Sequence, residues 1–296
     1  MRLAPGDLLS SIADPGNLTP DVRAHLREQY GLDKPVTTQY WRWVSNAARG
    51  ELGQSFWQQR PVIDVIRERL PRTLLLMGLS LAASIVLGSM LGAWQGAHAD
   101  SRGDRAVSVV SLLLYSIPEF WLALALMFVF AYRLHVLPAT GMVDEAMHDS
   151  LSIWWQFVDR LRHLVLPWTS LTVTGTAIFA RYQRVSMRET LREPFVRTAR
   201  AKGLAEPIAK RQAWYASLLP VMTLVGLFFP ALLTGAVFVE KIFGWQGMGS
   251  LLLEAIGHRD YALVTGCVII GSAMTALGSL FADILRAVVD PRLRTA

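Results

Sequence analysis

The carboxylate of Glu119 lies within a long apolar segment, in the run Ser116-Ile117-Pro118-Glu119. Proline bends a helix, and an acid at membrane depth is costly to bury unpaired, so it marks a functional position by default. The alternative is that Glu119 pairs with a neighbouring helix and has only a structural role. We therefore predict Ser116, Pro118 and Glu119 as candidate functional residues, which would line a translocation pathway if the protein moved a solute across a membrane.

Other residues that could do chemistry form no catalytic pattern. The glycines of Gly244 to Gly249 are spaced somewhat like a phosphate-binding loop, but no Lys-Ser/Thr ending follows them, and a turn role is expected. His258-Arg259-Asp260 is similar to a kinase catalytic loop, yet Thr265 stands where that motif requires Asn. Cys267 is the only cysteine, so no disulfide can form within the chain. We predict no cofactor and no enzymatic activity.

The histidines considered as metal ligands are scattered over several loops, at His98, His135, His148, His163 and His258. Their spacing shows no i, i+4 pair of histidines, so a tight metal site is not indicated. No Walker A sequence occurs in the chain, which predicts that any ATP hydrolysis belongs to another polypeptide.

A strongly basic loop contains the run Arg197-Thr198-Ala199-Arg200-Ala201-Lys202-Gly203-Leu204. This composition favours a short helix, with Pro194 in its first turn and Gly203 in the left-handed position past its end. Small residues at Ala199 and Ala201 would let another protein approach the backbone, and the cations of the run would suit an acidic groove. The alternative is an ordinary basic loop that happens to favour a helix.

The elements that must position these residues are long apolar segments, of which five can cross a bilayer at about 20 residues each. They are Leu70 to Trp94, Ala106 to Tyr132, His163 to Tyr182, Trp214 to Val239 and Tyr261 to Ile284. The third is the least apolar, because Pro167 and several Thr and Ser residues lie in it. With 52% hydrophobic and 18% charged residues distributed in this way, the sequence predicts an all-α, polytopic membrane protein with five spans.

Positive charge predicts the orientation, because short cytoplasmic loops retain Lys and Arg. The loop 184–213 is rich in them, whereas the loop before the last span has only Lys241 and Arg259. We predict a cytoplasmic loop at 184–213, an extracytoplasmic N-terminal module at 1–69, a membrane domain at 70–286 and a cytoplasmic tail at 287–296. The net charge of +6 therefore reflects membrane orientation, and no nucleic-acid partner is expected.

The basic loop resembles the cytoplasmic EAA loop of importer permeases of the ATP-binding-cassette (ABC) class, with Gly203 at the motif's glycine and Leu219-Pro220 downstream. Arg197-Thr198-Ala199 replaces Glu-Ala-Ala, as in the dipeptide, oligopeptide and nickel branch. Segments similar to that family run along most of the chain: Leu3 to Asp7, Tyr30 to Pro35, Gln39 to Trp41, Gly50 to Gly53, Ser116 to Trp121, Glu240 to Phe243, Arg259 to Tyr261 and Asp290 to Arg292. The family usually has a further span before the first of these segments. Either such a sixth span lies upstream of Met1, or this chain works with five spans.

The resemblance implies a permease subunit that carries peptides or a similar small solute, with no cofactor of its own. Its implied partners are a homologous second permease, two ABC ATPase subunits, an extracytoplasmic solute-binding protein and membrane lipid. Residues 197–204 and Pro220 would couple it to the ATPases, and nickel, glutathione or oligosaccharide remain possible substrates. The alternatives are an ion-gradient-driven secondary transporter, which needs ionisable residues at midplane and often an internal repeat, and a membrane-embedded enzyme.

Overall fold

The structure, a computed structural model, describes residues 35–228 and 236–289. The segment Leu3 to Asp7, most of the segment Tyr30 to Pro35 and the tail from Asp290 lie outside the described residues. The described part is mostly helical, with one two-stranded hairpin, which agrees with the predicted all-α class.

The elements follow in chain order. They are α1 (Val36–Ala48), β1 (Gln54–Ser55), β2 (Arg60–Pro61), α2 (Val62–Ala97), α3 (Arg102–Ser116), α4 (Glu119–Met127), a π-helical extension (Phe128–Arg133), a short 3-10 turn (His148–Ser150), α5 (Ile153–Thr190), α6 (Pro194–Ala201), α7 (Glu206–Ser217), α8 (Leu219–Phe228), α9 (Val237–Ile242), α10 (Met248–Gly257) and α11 (Tyr261–Val289).

The described chain divides into two compact units. One comprises residues 35–71 of the described chain with Leu251–Ser272. In it the strands pair antiparallel with Gln54 opposite Pro61, and buried Asp260 accepts hydrogen bonds from Ser55 Oγ at 2.6 Å and Trp57 N at 3.1 Å. The Trp57 ring stacks on His258 with ring centres 4.2 Å apart. Asp260 thus joins the hairpin to the start of α11.

The second unit contains residues 72–250 and the C-terminal part of α11. Its helices expose large apolar side chains, including Val86, Met90 and Leu113, while Ser80 and Ser84 are buried. A water-soluble domain has the opposite distribution, because apolar burial drives its folding. Small polar residues between helices with apolar residues outside are expected where hydrocarbon replaces water.

The long apolar helices correspond only in part to the predicted spans. Among the described residues α2 and α11 are long and apolar enough to cross a membrane, and α3 with α4 and its extension forms a bent pair that qualifies together. The predicted third span lies within the much longer α5, whose polar ends extend beyond the apolar middle. The predicted fourth span is divided between α7, α8 and α9, and residues 229–235 of it lie outside the described chain.

The predicted second span is interrupted at Pro118, where α3 and α4 meet at 99°. Ile117 is extended (φ −76°, ψ 128°), because the proline ring disfavours helical geometry in the residue before it. Pro118 is the N-cap of α4, a position where the backbone N–H that proline lacks is not needed. The bend expected from this proline is confirmed, and it is sharp enough to separate two helices.

Close packing between α2 and α5 depends on three glycines spaced four residues apart. A methyl group added at Gly88 would lie 2.5 Å from Phe179 Cβ, and one at Gly96 would lie 2.7 Å from Met187 Cβ. At Gly92 it would overlap the Ala180 carbonyl oxygen. Glycines at this spacing let two helix backbones approach closely.

We expect Gly92→Ala to destabilise the protein by about 1–3 kcal/mol, because backbone atoms of α5 cannot move aside as a flexible side chain could. The measurement is thermal unfolding of the purified protein in detergent. Gly78→Ala is the matched control, since it lies on the same helix with no atom within 4 Å of the added methyl group. Equal melting temperatures for the two variants would contradict the close packing of α2 on α5.

Candidate functional site

Helix α6 forms where the sequence predicts it. Pro194 occupies its first turn, the helix ends at Ala201 with Lys202 as its C-cap, and Gly203 follows with φ +80°. Gly203 N donates to Arg200 O at 2.9 Å, and Leu204 N donates to Ala199 O at 3.2 Å. These two bonds make a Schellman ending, which favours glycine at the left-handed position.

One face of α6 packs inward and the other is exposed. Val196 and Ala199 are buried. The sequence predicted that Ala199 would be accessible to a partner protein, and its burial contradicts this. Residues three apart on a helix share a face, which explains why Ala199 follows Val196 inward. Ala201 is exposed, as predicted.

The cations of α6 differ in their surroundings. Arg200 binds Glu206 through two hydrogen bonds, of 2.9 and 3.1 Å, and this exposed pair fixes the turn between α6 and α7. Arg197 and Lys202 are exposed, and within the described chain no ion pair engages them. Thr198 Oγ1 donates to Pro194 O at 3.0 Å, so its hydroxyl is directed to its own helix.

Buried contacts attach α6 and α7 to the end of α5. Val196 of α6, Ala213 of α7 and Met187 of α5 form one apolar cluster. Beside it, Gln183 Nε2 donates to Ser217 Oγ at 2.6 Å, and Ser186 Oγ donates to Ser217 O at 2.8 Å. A displacement of α6 must therefore move the end of α5.

The same end of α5 is joined to α3 by a buried ion pair. Arg184 donates from Nε and one terminal nitrogen to the two oxygens of Asp104, at 2.6 and 2.7 Å. Gln95 and the backbone N of Asp100 also donate to the Asp104 carboxylate. The Arg184 guanidinium lowers the pKa of Asp104 to about 2, against the opposing effect of burial, so this carboxylate stays ionised at neutral pH.

A cavity of about 830 Å³ adjoins this ion pair, between α3, α5 and the start of α8. Its polar lining is formed by Gln95, Ser108, Ser111, Tyr115, Arg181, Tyr182, Arg184, Ser186 and Glu189. Pro220, which the sequence assigned to coupling, is exposed at the start of α8 and lines the cavity with Leu224. Pro220 is therefore next to the cavity and is not part of α6.

The predicted pathway residues Ser116, Pro118 and Glu119 lie at the bend between α3 and α4, and none of them lines this cavity. Ser116 Oγ donates to Leu112 O at 2.8 Å within its own helix. Glu119 is partly exposed in the first turn of α4. Tyr115, directly before Ser116, does line the cavity.

The segment 240–250 is built around a buried carboxylate. Glu240 accepts hydrogen bonds from Thr73 Oγ1 at 2.7 Å and from Ser250 N at 2.9 Å. Gly244 has φ +62°, and a methyl group at Gly249 would lie 3.0 Å from a Glu240 oxygen. The turn role predicted for these glycines is confirmed at Gly244, whereas Gly249 lies within α10.

Two of the scattered histidines meet at Asp159. His148 Nδ1 lies 2.7 Å and His163 Nδ1 lies 3.1 Å from its two oxygens. Nothing in the sequence spacing links His148 to this acid. Within the described ranges, no three His, Cys, Asp or Glu side chains are arranged to hold a metal ion.

Sequence reasoning missed three features: the Asp104–Arg184 pair, the glycines of α2 and the residues of the cavity. The glycine spacing was a usable signal, since small residues four apart in an apolar segment favour helix contact. The ion pair had no such signal, because its partners are 80 positions apart. The lining of the cavity could not be predicted, because it depends on which faces of α3 and α5 are in contact.

Comparison with known proteins gives two family models that together match most of the chain. "Binding-protein-dependent transport system inner membrane component" matches residues 84–295, and the corresponding N-terminal membrane component model matches residues 4–77. The oligopeptide transport system permease protein AppB of Bacillus subtilis is 35% identical over 99% of this chain and 91% of its own length. The di/tripeptide transport system permease protein DppB of Pseudomonas aeruginosa has the same identity and coverage. The oligopeptide permease OppB of Mycobacterium tuberculosis is 35% identical over 93% of this chain and 85% of its own length.

Proposed function

The chain belongs to the family of binding-protein-dependent transport system inner membrane components, and on that premise we propose that α6 is the site at which its ATPase subunit docks. It is a multi-pass inner-membrane permease subunit of an ABC importer and not itself an enzyme, since ATP hydrolysis belongs to a separate subunit of such a system. An ion-gradient-driven mechanism is not favoured by this membership.

The observation that carries the docking proposal is the two-sided character of α6. Its exposed side presents Arg197 and Ala201, followed by Lys202 and Gly203 just past its end. On the other side Val196 packs on α5 and α7, and Ala199 is buried. Free cations suit an acidic groove of a partner, and a small residue lets the partner approach. A surface helix without the inner contacts could bind a partner but could not transmit its movement.

The coupling we propose runs from α6 through the end of α5 to α3. ATP-driven closure of the ATPases would move α6, the apolar cluster at Met187 would move α5, and the Arg184–Asp104 pair would move α3 beside the cavity. The permease then alternates between a state open inward and one open outward, a two-state shift driven by ATP binding. Coupling through a buried charge pair has a defined geometry, because both hydrogen bonds must be kept.

The assembly we propose has a homologous second permease, two ATPases and an extracytoplasmic binding protein that is received by the module 1–69 and the outer loops. The permease domain comprises 70–286, with five spans in this sequence and a cytoplasmic tail at 287–296. Small peptides are the substrate we propose, because relatives of similar length are named oligopeptide and di/tripeptide transport system permeases. Ser116, Pro118 and Glu119 remain proposed pathway residues at the bend, where an unpaired acid would meet the solute.

Single cysteines in a Cys267→Ser background test both the orientation and the docking. Ala201→Cys should be protected in intact cells from an impermeant thiol reagent and should form a cross-link to the ATPase subunit, because we place α6 at the cytoplasmic interface. Glu145→Cys, in an exposed outer loop, should react with the reagent and give no such cross-link. Mass spectrometry of the labelled and cross-linked chains provides the measurement.

The cysteine-free parent is the control for labelling at other residues. Labelling of Ala201→Cys from outside would overturn the orientation. If Ala201→Cys were protected but formed its cross-link to a protein other than the ATPase, the orientation would stand and the docking site would be wrong.

A further inference from the structure

We propose that the cavity between α3, α5 and α8 is a binding site for the transported peptide, in which Arg181 receives the peptide's carboxylate and Glu189 its amino group. This inference rests on the proposed function and assigns the site within the permease that the peptide occupies before release. No residue of this cavity was predicted as a substrate contact from the sequence.

The two arginines of the cavity differ in whether their charge is available. Arg184 is held by Asp104 through two short hydrogen bonds, so its charge is already compensated. Arg181 is exposed in the cavity, and the part of the chain that the structure describes offers it no hydrogen bond or ion pair. Arginine at such a position can bind a carboxylate through two parallel hydrogen bonds.

Glu189 supplies the opposite charge at the other end of the same helix face. It is exposed and lines the cavity, and its carboxylate has no ion-pair partner among the described residues. A purely basic cavity would suit an anionic headgroup, but an acid beside it would repel that ligand. A free cation and a free anion in one cavity instead match a ligand that carries both charges.

The separation of the two residues fits a short peptide. Arg181 and Glu189 are eight residues apart on α5, which at 1.5 Å per residue places their backbone positions about 12 Å apart. An extended chain spans at most about 3.3–3.6 Å per residue, so three or four residues separate an amino group from a carboxylate by a similar length. The cavity volume of about 830 Å³ lies in the range typical of ligand sites.

The remaining lining supplies contacts that do not depend on the peptide's sequence. Ser111, Tyr115 and Tyr182 line the cavity and can donate to backbone carbonyl groups, and Leu112, Ile178 and Leu224 provide apolar surface. Recognition by the two termini and by backbone groups would admit many side chains. The site would thus select for length and for free termini.

The test measures binding of radiolabelled trialanine to the complex purified in detergent through a tag on this chain, without the binding protein. Arg181→Gln should weaken trialanine binding about tenfold or more, since a hydrogen bond to a charged group is lost, but should not change binding of trialanine amide. Glu189→Gln should weaken trialanine binding but not binding of N-acetyl-trialanine. A merely structural role of either residue would weaken the free and the blocked peptide equally, and that outcome would overturn the assignment.

Arg105→Gln is the matched control, because Arg105 is an exposed cation of α3 that does not line the cavity. Uptake of trialanine by proteoliposomes with ATPase and binding protein separates the two hypotheses. Uptake by the wild type without saturable binding to the complex would overturn this site and leave the proposed function intact, whereas absence of uptake would count against the proposed function itself. Loss of a co-purifying anionic lipid in Arg181→Gln, with no peptide binding in the wild type, would identify a lipid site instead.

Discussion

Asp104→Asn is expected to lower the free energy of unfolding by about 3 kcal/mol, the largest stability loss we predict for a single polar substitution. The Asp104 side chain is fully buried and that of Arg184 is 25% exposed, so removal of the carboxylate charge leaves a largely buried guanidinium without its counterion. Thermal unfolding of the purified protein, followed by tryptophan fluorescence, provides the measurement. Asp104→Asn with Arg184→Gln should recover part of the loss, because no uncompensated charge remains.

The pH dependence gives an independent test of the same pair. The pKa of Asp104 is lowered from 3.8 to about 2 in the folded protein, so its ionised form stabilises the fold above pH 4. That contribution is lost as the pH falls from about 4 to 2. The stability difference between the wild type and Asp104→Asn should therefore be constant from pH 8 to pH 5 and should shrink below pH 4.

A second ion pair between the same elements is the control. Asp100 and Arg188 also join the region before α3 to the end of α5, at 2.9 Å, but their side chains are 64% and 37% exposed. Exposed pairs contribute at most about 1 kcal/mol. Asp100→Asn should thus have a small effect, and an effect equal to that of Asp104→Asn would contradict burial as the cause.

Local structure near α6 was predictable because it depends on residues close in sequence. Proline in the first turn, a run of good helix formers and Gly203 past the end act within a few residues of one another. The bend at Pro118 was predictable for the same reason. The role of α6 in coupling is a separate matter, since it depends on a partner chain.

The limits of α5 show where sequence reasoning fails. An apolar segment identifies the part of a helix that hydrocarbon favours, but a helix continues into water wherever its polar residues also favour it. The prediction of His163 to Tyr182 therefore omitted the ends of a helix that runs from Ile153 to Thr190. The omitted C-terminal end contains Arg184, Met187 and Glu189, which are the residues that connect α6, α3 and the cavity.

The contacts between helices could not be read from the sequence because apolar helices give weak information about which face is buried. On α2 large apolar residues point outward, toward the expected lipid, so the usual rule that apolar side chains lie inside does not hold. The inward face is marked instead by Gly88, Gly92, Ser84 and Gln95. Small and polar residues identify the buried face of α2 only once the helix is known to lie in a membrane.

Gly203→Asp is expected to reduce peptide uptake at least tenfold while the permease remains in the membrane at normal abundance. Gly203 has φ +80°, so a side chain there adds backbone strain of about 1–2 kcal/mol, too little to unfold the protein. Gly203 is exposed and no atom lies within 4 Å of the added Cβ, so the substitution causes no steric overlap at that atom and places the side chain on the surface that we propose for the ATPase. A carboxylate there also opposes the nearby cations in binding an acidic groove. Uptake and peptide-stimulated ATP hydrolysis in proteoliposomes should fall together.

Gly50→Asp is the control that distinguishes an effect on the ATPase interface from an effect of backbone strain. Gly50 has φ +82° and also has no atom within 4 Å of an added Cβ, so the substitution has the same backbone cost in the module that we place outside the membrane. Its uptake should stay within about twofold of the wild type, because strain without an ATPase contact does not interrupt coupling. If both variants lost uptake equally, strain would suffice as the explanation. If Gly203→Asp kept full uptake, α6 could not be the coupling element, since a charged side chain at the centre of that contact must weaken it.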